Sequence, residues 1–150
     1  MRGTMGLFLV AAVAAACSSD NGNPVPDPDP DPVISVGGGY QTAVTLVAND
    51  CPGQTVQQHA TAVNHLPGGT ALSLLHANSS YHGSLTADGT FSTVPVTQQF
   101  DGVSFVISIA GQFTETSIDA LVQVQAGGQS PCAFTARWAG PKTGDTNVIP

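Results

Sequence analysis

Four histidines, three cysteines and ten carboxylates are the groups in this chain that could do chemistry. A metal site needs several donors within one coordination sphere. His76 and His82 flank Asn78-Ser79, which reads as a two-residue hairpin turn. Across such a turn His76 falls opposite Tyr81 and His82 opposite Leu75, so the two imidazoles point to opposite faces and cannot share an ion. His59 and His65 share a parity, but six residues of strand hold them about 20 Å apart. The sequence places no metal and no cofactor. Only a meeting between different strands would make a histidine site.

The carboxylates are mostly absorbed by local structure. Asp88 and Asp101 each precede a glycine as turn formers, Asp119 takes an outward strand position, and Asp50 and Glu115 fall in loops. No Gly-x-Ser-x-Gly elbow, HExxH helix or glycine-rich phosphate loop occurs. Asn78-Ser79-Ser80 fits a glycosylation triplet but is taken as a turn. The chain is therefore read as not an enzyme, with no catalytic residue assigned and a secreted hydrolase ranked third.

The elements that must carry these groups begin with an N-terminal targeting segment. Arg2 supplies a positive start, and Met5 to Ala16 is an apolar run. As a helix that run rises only about 18 Å, too short to span a bilayer but suited to a signal-peptide core. It closes on Ala14-Ala15-Ala16-Cys17, which resembles the lipobox of bacterial lipoproteins, with Ala14 where Leu is usual. The resemblance implies a signal peptide over residues 1–16 and a lipidated Cys17. It further implies anchorage of the cell-envelope protein to a membrane through that lipid. Ser18 after the cysteine is similar to the sorting pattern for the outer membrane of a Gram-negative bacterium.

Residues 17–32 hold the lipidated cysteine and a tether in which proline alternates with aspartate. Alternating proline forbids helix and ladder, so the segment is extended polyproline-like chain, long enough to hold a domain about 40 Å from the membrane. The same prolines forbid the turn that a calcium loop needs.

The rest is a β-domain, residues 33–140, followed by a flexible tail over 141–150. Val103, Phe105, Ile107, Ile109 and Phe113 alternate with polar residues, and after Glu115-Thr116-Ser117 the phase resets on Ile118, Ala120, Val122 and Val124. Such alternation is the signal of half-buried strands, here a long hairpin. Five more strands precede it, at about 40–48, 55–65, 70–77, 80–86 and 90–99, and one follows at 132–139. Eight short strands joined by tight turns make an all-β, single antiparallel up-and-down sheet that closes into a small barrel, with a β-sandwich as the alternative.

The cysteines sharpen that architecture. With Cys17 lipidated, Cys51 and Cys132 remain as a pair in an oxidising compartment and are expected to form a disulfide. Their α-carbons must then lie within about 7 Å, which brings the end of the first strand to the start of the last and closes the barrel.

Only 9% of residues are charged, far below the usual quarter, and the net charge is -7 with Arg2, Arg137 and Lys142 the only basic side chains. A chain without basic clusters cannot neutralise phosphates, which excludes nucleic acid as a partner. The core or ligand-lining set is Tyr40, Leu72, Leu74, Phe91, Phe105, Phe113, Phe134 and Trp138, with Leu46 on the same face. The strand count is similar to that of lipocalin-like barrels, but Gly38-Gly39-Tyr40 stands where their Gly-x-Trp would, and no ligand residue is carried across. Two functions follow as expectations. One is a non-catalytic envelope lipoprotein serving as a structural or interaction module for a protein partner. The other is a carrier for a small apolar ligand inside the barrel.

Overall fold

The computed structural model describes residues 33–150; the expected signal peptide, Cys17 and the expected tether lie outside the described residues. Ten strands form: β1 (Gly38–Tyr40), β2 (Ala43–Asn49), β3 (Thr61–His65), β4 (Ala71–His76), β5 (Ser79–Leu85), β6 (Thr90–Thr93), β7 (Val96–Phe100), β8 (Val103–Phe113), β9 (Ser117–Ala126) and β10 (Cys132–Thr143). All pairings are antiparallel. The ladder runs β1-β3-β4-β5-β6-β8-β9-β10, and β10 pairs back onto β1, so eight strands close into a barrel in meander order. Strands β2 and β7 are the two extras, each with a single partner, β10 and β8 respectively.

The extras arise because two strands that read as continuous are broken. The first expected strand divides at Gln41-Thr42. Gly140 of β10 lies there so close to the Gln41 carbonyl that a β-carbon would collide with it. The fifth divides at Val94-Pro95, where proline has no N–H to give a ladder. Gly83 and Gly111 also have backbone in the space of a missing β-carbon. Gly83, Gly111 and Gly140 all sit on the inward parity of their strands. Glycine there lets neighbouring backbones approach and bend, as closure of a narrow barrel requires.

Three further expectations need correction. Residues 55–60 are not strand; β3 starts only at Thr61, where Thr61 and Val63 first give an alternating inward face. The two-residue turn after β4 is Ala77-Asn78, both at positive φ of 48° and 62°, so His76 pairs with Ser79 and Tyr81 with Leu74. The tail is docked rather than frayed. Lys142 N–H donates to the Thr116 carbonyl past the proline, Ser35 and Val148 form a bridge, and Asn147 is buried. Asn147 accepts from the Tyr40 hydroxyl at 2.8 Å, and burial pushes that phenol up to about 12 against the opposing pull of this bond.

The barrel interior is packed. Tyr40, Leu72, Leu74, Phe91, Phe113 and Trp138 are buried in it as expected, joined by Leu85, Ile107, Ile109, Ile118 and Val122. Phe91 meets Phe113 at 4.8 Å between centroids and Tyr40 meets Phe113 at 5.6 Å, within the range of favourable aromatic pairs. Phe105 and Phe134 are half-buried against this core near the disulfide. Leu46 shares their parity but is 37% exposed, because no strand covers the outer edge of β2. Cys51 and Cys132 are bonded, with α-carbons 5.2 Å apart, and β2 pairs along β10 from Phe134↔Asn49 to Ala139↔Ala43.

Candidate functional site

Leu72, Leu74 and His76 share the inward face of β4, and the register sets His76 directly opposite Thr61 of β3. One polar side chain thereby enters an otherwise apolar interior. Its satisfaction follows from a chain of hydroxyls. The Thr42 hydroxyl donates its one proton to the His59 carbonyl at 2.7 Å. The 2.9 Å contact between Thr42 and Thr61 hydroxyls must then be donated by Thr61. With both hydroxyl protons committed, the 2.9 Å bond between Thr61 Oγ1 and His76 Nδ1 is donated by the imidazole. His76 therefore carries a proton on Nδ1, and in its neutral form the lone pair lies on Nε2.

Stacking completes the setting. The His76 ring lies 3.7 Å from Trp138 at an interplanar angle of 15°, and Tyr81 packs edge-on against the same indole at 6.1 Å. His59 comes in from residues 54–60 with its ring 5.5 Å from that of His76 and nearly perpendicular to it. His76 is 6% exposed. Burial, and secondarily the charge of His59, pushes it down to about 4. Its Nε2 makes no hydrogen bond among the described residues.

Thr61 receives a proton from His76 and gives its own away, so the imidazole is not the base of that hydroxyl. Among the described residues no carboxylate is hydrogen-bonded to His76. His59 opens to the surface, lining one depression of about 510 Å³ with Thr61 and Asn78 and another of about 380 Å³ with Thr42 and Gln58. Among the described residues no three of His, Cys, Asp or Glu gather as a metal cage.

Side chains hold this region where backbone ladders stop. The Gln58 amide accepts from Val44 N–H at 2.8 Å and donates to the Val44 carbonyl at 2.7 Å, standing in for the missing neighbour of β2. Asn49 does the same for Cys51, at 2.9 and 3.0 Å. Thr93 takes the Ile109 N–H at 3.0 Å beside the second strand break, and Gln98 reaches Ser79 at 3.1 Å. A further depression, about 580 Å³, lies beside the disulfide and is walled by Val103, Phe105, Ala126 and Gln129.

His76 and His82 lie on opposite faces as read from the sequence, whereas the strand spacing read between His59 and His65 does not hold, since residues 55–60 are not strand. His82 lies on the outward parity of β5, opposite Ser73, and His65 sits at the far end of β3, bonded through Nε2 to the Gly69 carbonyl at 2.7 Å. What the sequence did not offer is His59 beside His76. The inward parity of His76 was visible in Leu72-x-Leu74-x-His76; His59 comes from irregular chain whose path no periodicity dictates. Cys17 lies outside the described residues. Asp88 is the turn former expected, accepting from Thr86 and Thr90, and those bonds hold its carboxyl below the usual range. Comparison with protein-family models, curated proteins and solved structures found no match for the chain.

Proposed function

We propose that this is a non-catalytic lipoprotein of the cell envelope, anchored through a lipid on Cys17, that presents its β-barrel as an interaction module for a protein partner. The observation that carries the reading is the interior: eighteen buried apolar side chains fill it as one cluster. An internal carrier needs roughly 300 Å³ or more of apolar space, and here that space is occupied by Phe91, Phe113, Tyr40 and Trp138. With the inside taken, recognition falls to a surface poor in charge and rich in Ser, Thr and Gln. The targeting run and the Ala14–Cys17 sequence support the anchor, and a basic-face attachment has too few cations to compete with it.

Native mass spectrometry of the protein extracted from its own envelope tests this. The expected mass is the acylated chain with one disulfide and no small molecule. A co-purifying apolar ligand of several hundred daltons, released on denaturation, would move the function to the carrier reading. Cys17→Ala tests the anchor in the same material: the protein should pass to the soluble fraction, and retention in the membrane refutes lipid anchoring.

A further inference from the structure

We propose that His59 and His76 bind one divalent d-block cation, of the copper, nickel or zinc class, at the place where residues 54–60 cross the end of β4. Imidazole is the donor those ions favour. With metal–nitrogen bonds of about 2.0 Å, two rings that share an ion have centroids roughly 5–6 Å apart. The observed separation is 5.5 Å.

His76 is arranged as a ligand would be. Its Nδ1–H is committed to Thr61, which leaves the Nε2 lone pair as the coordinating atom, and a hydrogen bond of this kind is what orients a ligating histidine. Trp138 clamps the ring plane from one side. Nothing else among the described residues takes up the His76 Nε2 nitrogen. His59 supplies the route: it is half-buried and borders two surface depressions. With two protein donors, the remaining positions belong to water or an outside ligand. The site is therefore an open one, weaker than a closed four-donor structural site.

The chain contains a single tryptophan, and it is the one stacked on His76. Cu2+ bound at Nε2 would sit within quenching reach of that indole. The test is a titration of the purified full chain with Cu2+ near pH 7.5, read by tryptophan emission, with Zn2+ as competitor. The expected result is saturable quenching at one equivalent, reversed by Zn2+. His59→Ala should weaken binding at least ten-fold while keeping the unliganded emission spectrum, since it trims a half-buried side chain outside the core. Thr61→Val should weaken it by about ten- to a hundred-fold through loss of the orienting bond. His82→Ala, on the outer face, should change nothing. The absence of saturable quenching overturns the proposal, as does undiminished affinity in His59→Ala or loss of binding in His82→Ala.

Discussion

Along β3, β4, β5, β8 and β9 the barrel has ladder partners on both sides, whereas β2 and β7 each have one. The first region is held by backbone hydrogen bonds over a continuous apolar core. The second, around the disulfide and residues 54–60, is held by the Cys51–Cys132 bond and by side-chain amides and hydroxyls in place of missing strands. The buried polar cluster of Thr42, Thr61 and His76 sits where the two meet. Where periodicity lapses, specific side chains make the hydrogen bonds that strands would otherwise make.

The sharpest way to break this contrast is to remove the disulfide. Closing a loop between residues 81 apart is worth about 4 kcal/mol in the chain-entropy account, so Cys51→Ala/Cys132→Ala should lower the melting temperature by more than 10 °C. Calorimetry of the oxidised and doubly substituted proteins measures it. Leu74→Ala strikes the other region. Its side chain is fully buried, and truncation should cost about 2–5 kcal/mol, visible as a lower denaturation midpoint with an unchanged slope.

Acid separates the regions by chemistry. His76 is lowered in the fold to about 4 from an ordinary 6.5, so the unfolded chain binds the proton more readily. Its contribution is complete above about pH 6.5 and is lost progressively as pH falls toward 4. Melting temperature should drop across that window in the native protein, and the drop should shrink in His76→Gln. A full-sized acid transition in that variant would assign the effect to other groups. Gln58→Ala is the smallest of the four perturbations, at about 1–2 kcal/mol, because it unpairs one N–H and one carbonyl of Val44 at a partly wet edge. Denaturant titration checks it, and an undiminished stability would mean the amide is no substitute for a strand.

The same contrast explains what could be seen in the sequence. Alternation over 103–124 specified β8 and β9, because one face of each is buried and a one-residue slip would invert it. Asp101-Gly102 adopts the positive φ angles of 49° and 78° that its turn chemistry suggests. Counting cysteines was enough to join the first strand to the last. The breaks at Gln41-Thr42 and Val94-Pro95 were harder to see. One comes from close approach to Gly140, a partner far along the chain, and the other from a proline that an edge strand could have tolerated. The Ala77-Asn78 turn was missed because alanine rarely takes a positive φ, so local preference favoured the next pair. Asn147 gave no sign of docking, since a lone polar residue in a glycine-bearing tail has no period. The His59–His76 pair is hidden for the same reason: it exists only after residues 54–60 have been laid across the barrel end.

Residue-resolved amide hydrogen exchange of the native full chain would compare the two regions in one experiment. Amides of β8 and β9 should exchange only through global unfolding. Those of residues 54–60 and the outer edge of β2 should exchange on the order of 100-fold faster or more, with Val44 an island of protection beneath Gln58. Uniform protection across residues 45–60 and the β8–β9 hairpin would contradict the account, because it would mean that the side-chain-bridged region is as firmly closed as the laddered one.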